Sequence, residues 1–131
     1  MKKIGILNQP ISSVIAGLGH TDTLVIADAG LPIPPETQRI DLALTEGIPT
    51  FLDTVRAVLT EMHVEQAIVA EEMLDASPQV YKALKELLGD VPIKTVTHLV
   101  FKERTRSARA VVRTGEFSPY ANAILTAGVV F

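Results

Sequence analysis

The spacing of apolar and polar positions changes several times along the chain, and each change marks an element. In "QPISSVIAGLG" Ile11, Val14, Ile15 and Leu18 share one helical face, Pro10 suits a first turn, and Gly17 and Gly19 stop the run. Thr23 to Ala27 is β-branched and apolar, which predicts a strand, and "DAGLPIPP" after it reads as a loop. "RIDLAL" alternates weakly as a second strand. Helical spacing returns from Thr50 to Met62, with Phe51, Val55, Val58, Leu59 and Met62 on one face. "EQAIVAEEM" holds a buried strand, and "SPQVYKALKELLG" reads as a helix with Ser77 as N-cap, Pro78 in the first position and Gly89 past the end. "PIKTVT" is a strand, "HLVFKERTRS" a short helix, "ARAVVRT" a strand, and "NAILTAGVVF" a last apolar segment.

Strands that alternate with helices predict an α/β fold with helices on both faces of the sheet. No repeat, low-complexity tract or linker interrupts the pattern, so residues 1–131 are expected to form a single domain. Composition adds one thing to that picture. With 47% hydrophobic and 21% charged residues the chain is greasy for its size, and part of its apolar surface is expected between subunits of a homo-oligomer. A net charge of −3 argues against a nucleic-acid partner, because phosphate binding needs a basic face. The lack of cysteine removes disulfides, thiolate nucleophiles and thiolate zinc sites together, and fits a reducing compartment. "MKK" is followed by "IGILNQP", too short an apolar run for a signal peptide, and no segment reaches the roughly 18 apolar residues that span a bilayer. A cytoplasmic protein with no membrane partner is the expectation.

"GLG" invites a dinucleotide-binding interpretation, but that motif needs a strand before the glycines and a helix after them, and here the order is reversed. No phosphate-binding "GxxxxGK[ST]" occurs, and none of Ser12, Ser13, Ser77, Ser107 or Ser118 sits in a nucleophile elbow. What stands out instead are polar residues at strand ends. In open α/β sheets ligands bind outside the carboxyl ends of the strands. Asp28 ends one strand, His98 follows another, and "GEFSPYAN" follows a third with Tyr120 and Asn122. Taken singly, each has a structural explanation: a turn-forming aspartate, a capping histidine, a packed tyrosine. Taken jointly, they deliver polar groups to one edge.

His20 precedes the strand that Asp28 ends, so the two should lie at opposite edges, about 17 Å apart for five residues at ~3.3 Å each. They can share a ligand only if "HTD" doubles back or if His20 reaches a neighbouring subunit's site. His63 has no supporting context and reads as surface or capping. A metal site from His20, Asp28 and His98 suits zinc or iron in ligand type but lacks any local ligand spacing. The basic residues Lys102, Arg104, Arg106, Arg109 and Arg113 read as a solvated face, except that Lys102 lies one helical turn from His98 and shares its face.

These strings, in this order, resemble the D-ribose pyranase family, sister to the fucose mutarotases: "MKKIGILN", "LGHTD", "IADAGLPIP", His98 in mid-chain, and "VVRTGEFSPYANAILTAGVVF" to the end. "DAGLP" and "GEFSPYAN" are similar to the ribose branch, and the stretch from Thr50 to Pro92 carries little of the likeness. The resemblance implies a three-layer α/β/α sandwich with a mostly parallel or mixed central sheet. It implies a cofactor-free isomerase that interconverts pyranose and furanose forms of D-ribose, or a similar monosaccharide, and exchanges its anomers. It further implies a homodecamer of two stacked pentamers with sites between adjacent subunits. By motif position His20 corresponds to the proton donor, and Asp28, His98, Tyr120 and Asn122 to sugar-binding residues; Lys102 joins the sugar-binding candidates only through its place one helical turn from His98. Histidine titrates near neutrality, and carboxylate, amide and phenol groups supply the directional contacts a sugar needs. The group that takes the anomeric proton is left open among Asp28, His98 and water. Two rival expectations remain: a non-catalytic sugar-binding accessory of ribose uptake, and a mutarotase of fucose or another sugar. A metal-dependent hydrolase is the weakest.

Overall fold

A computed structural model describes residues 1–131. The chain runs α1 (Gln9–Gly17), β1 (Thr23–Ala27), β2 (Arg39–Asp41), α2 (Phe51–Leu59), β3 (Val64–Ala70), α3 (Glu72–Ala76), α4 (Pro78–Leu88), β4 (Ile93–Val96), α5 (His98–Arg104), a 3₁₀ turn (Thr105–Ser107), β5 (Ala110–Arg113) and β6 (Ala123–Ala127). The six strands form one sheet in the order β2-β5-β1-β6-β3-β4. Pairs β1–β5, β2–β5 and β3–β4 are parallel, whereas β6 runs antiparallel to both β1 and β3. Five strands therefore point one way, with β6 reversed at the centre.

Both faces of the sheet are covered, which is why its central strands read as continuous apolar runs rather than alternating ones. On β1, Leu24 and Ile26 face the larger core with Phe51, Val55 and Val58 of α2 and Leu84 and Leu88 of α4. Val25 and Ala27 face the smaller core, which is closed by Phe101 of α5 with Leu31 and Ala108. The second layer is thus thin: one short helix, a 3₁₀ turn and the loop after β1. The N-terminus of α2 is held twice, by Thr50 Oγ1 accepting from the Asp53 N–H at 3.1 Å and by Glu116 Oε1 accepting from the Phe51 N–H at 3.1 Å. Two of the helix's otherwise unpartnered N–H groups are satisfied in this way.

The sandwich agrees with the fold class expected from the sequence, with four local differences. The strand expected over "RIDLAL" stops at Asp41, whose Oδ1 accepts the Ala43 N–H and turns the chain away. The helix expected to Met62 ends at Leu59. "EMLDA" forms a helix of its own, α3, where only a strand end was expected. Ser77 precedes α4 as expected but does not cap it: its hydroxyl donates to the Pro119 carbonyl at 2.6 Å, tying α4 to the loop before β6.

Candidate functional site

The parallel strands β1 and β4 deliver Asp28 and His98 to the carboxyl edge, and the reversed β6 begins at that same edge, so Tyr120 and Asn122 arrive there from the other direction. The four residues meet. Asn122 is fully buried, its Oδ1 accepts from the Asp28 N–H at 2.7 Å, and its Nδ2 donates to Asp28 Oδ2 at 3.0 Å. Asp28 Oδ1 accepts from the Gly30 N–H at 3.0 Å, so Asp28 also forms the turn that its sequence context suggested. A carboxylate has about four lone-pair positions, which leaves acceptor capacity for hydroxyl groups.

The His98 ring stands edge-on to Tyr120, with centroids 4.9 Å apart and planes at 85°, and its Nδ1 is buried without a partner. The backbone of His98 is fixed by a residue the sequence did not single out. Both carboxylate oxygens of Glu72 accept its N–H, at 3.1 and 3.0 Å. Glu72 is held below its ordinary value of 4.5, first by its own backbone N–H and then by that of His98. Asp28, Leu31, His98, Pro119 and Tyr120 line a pocket of about 290 Å³. A larger recess of about 440 Å³ adjoins it across Asp28, Gly30 and Pro119 and is walled by Arg113, Glu116 and Phe117. Arg113 donates to the Ala29 carbonyl and pairs with Asp41. Lys102 lies one turn along α5 from His98 but lines neither space. A separate groove of about 340 Å³, lined by Ile6, Ile11, Leu42 and Val58 among others, is mostly apolar and lies away from these polar groups.

His20 is elsewhere. It sits at the opposite edge, before β1, and its Nε2 lies 3.0 Å from Glu65 Oε2 on β3. Its side chain is 54% exposed. "HTD" does form a tight turn, with Asp22 Oδ2 accepting from the Gly19 N–H at 2.8 Å, but the turn does not bring His20 back to Asp28. Hence His20, Asp28 and His98 do not converge within one chain, and no group of three or more His, Asp or Glu side chains is placed to hold a metal ion. His63 is exposed, as expected, and the basic residues are mostly matched to acids: Arg106 to Glu36 and Glu103, Arg109 to Asp22. The chain has two non-glycine residues with positive φ, Thr21 at 70° and Tyr120 at 60°. Such conformations are costly for side-chain-bearing residues and concentrate at functional positions. One adjoins His20; the other lies between the pocket and Asn122.

Sequence patterns did not single out Glu72, placed Arg113 only in a solvated basic face, and gave no sign of Glu65. The rule that selected Asp28 would have found the first two, since Glu72 lies just past the end of β3 and Arg113 ends β5. Nothing local to Glu65 announces it.

Comparison with known proteins follows the same lines. Residues 1–130 match the model of the RbsD / FucU transport protein family. The chain is 56% identical over 131 residues, covering all of both chains, to a protein of Coprothermobacter proteolyticus named D-ribose pyranase. Among solved structures, Bacillus subtilis RbsD complexed with D-ribose superposes with a TM-score of 0.97 at 49% identity, with full coverage of both chains. A fucose mutarotase from Streptococcus pneumoniae in complex with L-fucose gives 0.82 at 25% identity, covering 95% of each chain. No helix of the chain is long and apolar enough to cross a membrane.

Proposed function

The chain belongs to the RbsD / FucU family, and from that premise we infer that it is an isomerase that interconverts the pyranose and furanose forms of D-ribose and exchanges its anomers. The observation that carries the choice of sugar is the difference between the two sugar-bound relatives: 49% identity to the protein complexed with D-ribose, 25% to the one complexed with L-fucose. The chemistry asks for proton transfer and little else. The anomeric hydroxyl loses a proton, the bond between C1 and the ring oxygen breaks, and that oxygen gains a proton. A different hydroxyl then adds to the open aldehyde to close another ring. Positioned acid–base groups contribute typically 10²–10⁴-fold to such a step, a useful margin over a reaction that already proceeds in water.

In this reading the sugar occupies the pocket at the carboxyl edge. Asp28 accepts from its hydroxyls and is held in place by Asn122. His98 and Tyr120 form the wall, and the Tyr120 ring can cover an apolar sugar face. Lys102 lines neither space and has no role in this reading. His20 supplies the proton to the ring oxygen, and it does so in the site of an adjacent copy of the chain, because its own Asp28 lies across the sheet. The reading therefore carries a homo-oligomer with it, and the family resemblance gives that assembly the form of a decamer of two stacked pentamers in the cytoplasm.

The test is NMR saturation transfer between the pyranose and furanose anomeric protons of D-ribose, at catalytic amounts of protein. Faster transfer, lost in His20→Ala, is the expected outcome. Unchanged transfer with saturable ribose binding would select a binding accessory instead. Acceleration of fucose exchange alone would assign the other sugar.

A further inference from the structure

Three backbone devices converge on the pair His20–Glu65. The ladder between β3 and β6 shifts register between Val64 and Gln66, so that Glu65 is the residue left without a cross-strand partner. Bulges of this kind re-aim a side chain. On the other strand the chain continues past β6 into Gly128, where a β-carbon would come within 3.1 Å of Glu65 Cβ and 2.7 Å of the His63 ring. The missing side chain leaves room for the His63 ring first and for Glu65 beside it. Finally, Thr21 takes a left-handed conformation and donates its N–H to the Ala127 carbonyl at 2.9 Å, which fastens the His20 turn beside the bulge. The other acid of that turn, Asp22, is already committed to the Gly19 N–H and to Arg109. Glu65 is the carboxylate that faces the imidazole.

We propose that Glu65 is a positioning residue that fixes the tautomer and aim of His20, so that Nδ1 is the nitrogen that exchanges a proton with the sugar. A carboxylate only accepts hydrogen bonds, so at 3.0 Å from Glu65 Oε2 the His20 Nε2 must carry its hydrogen and donate it. In the neutral ring the lone pair is then on Nδ1, and in the imidazolium the proton that can leave for the sugar is the one on Nδ1. The bond also orients the ring, in the way that a hydrogen bond to one histidine nitrogen sets the role of the other. This inference rests on the assignment of His20 as the acid.

The experiment compares wild type, Glu65→Ala, Glu65→Gln and His20→Ala by ribose exchange kinetics, and the first three by ¹⁵N NMR of the His20 ring. Glu65 lies on the surface of the strand, and its replacement leaves the core untouched. In Glu65→Ala the Nε2–H fraction of the neutral ring should fall to that of a free histidine, in which this tautomer is already the commoner one, and kcat should fall roughly 10- to 100-fold, the cost of a misaimed reacting group, with KM little changed. In Glu65→Gln, whose amide can accept or donate, kcat should follow whatever Nε2–H fraction the spectrum records. Normal kcat in Glu65→Ala, or a fall in kcat with the tautomer unaltered, overturns the proposal. If His20→Ala itself exchanges ribose normally, it is the assignment of His20 that fails.

Discussion

A fully buried asparagine has to satisfy its amide from within the protein, and Asn122 does so on Asp28: its oxygen takes the backbone N–H and its nitrogen gives to the carboxylate. Truncation to alanine leaves the Asp28 N–H without that partner and frees the carboxylate to rotate. Asn122→Ala should cost about 1–3 kcal/mol, read as a lower urea midpoint, and should weaken ribose binding in titration calorimetry. Glu72 makes a pH-dependent contribution. Its folded value is depressed below 4.5 by its own N–H and that of His98, so its contribution is fully present above about pH 4.5 and is lost as pH falls through the folded value. The stability gap between wild type and Glu72→Gln, followed by thermal melts, should therefore close on acidification, whereas at pH 7 the variant should be the weaker ribose binder. Asp28, His98, Tyr120 and Asn122 were legible as residues because each stands at a strand end. Their mutual contacts were not, since a hydrogen bond between positions 28 and 122 depends on β6 lying antiparallel beside β1, and no local pattern declares strand order.

At the scale of the element, the 3.6 period located every helix longer than five residues, and apolar or weakly alternating runs located five strands, while β6 read only as a last apolar segment. α3 escaped because five residues make little more than one turn, too few for a period to register, and two of them are acidic. Ser77 misled for a different reason: Ser-Pro before an amphipathic run is a sound N-cap signature, but the hydroxyl found a better acceptor in the Pro119 carbonyl. The element that matters most to the site is α5, which has seven residues and carries His98 at its start. Thr97 caps it, with Oγ1 accepting from the Val100 N–H at 3.3 Å. Thr97→Ala should lower stability by about 1 kcal/mol. It should also raise KM for ribose more than it lowers kcat, because the loosened turn is the one that presents the pocket wall.

For the whole molecule, the greasy composition becomes a set of exposed apolar side chains, among them Ile4, Leu7, Leu44, Leu99, Phe117, Val130 and Phe131. Dispersed over one chain these are surplus; between copies they are what an assembly buries. A site built from two copies makes a sharp prediction. His20→Ala and Asp28→Asn proteins, each inactive alone, should recover part of the exchange activity when unfolded together and reassembled. Mixed oligomers confirmed by mass spectrometry but still inactive would place both residues outside a shared site. The sequence contained the distance that suggests this, five strand residues between two polar groups, but not the partner surface. The reversed strand β6 has one more consequence. Its first residue follows Asn122, which grips the Asp28 loop, and its last, Ala127, exchanges backbone hydrogen bonds with Thr21 and Asp22, which carry His20. One strand is thus a spacer bar between the Asp28 loop and the His20 turn, held by hydrogen-bonded neighbours on both sides. If the site is shared between copies, as proposed, its two halves within a protomer keep a fixed separation, and an adjustment to different sugars would have to come from rotation of whole protomers against one another, as a turnbuckle changes its span without bending its rods.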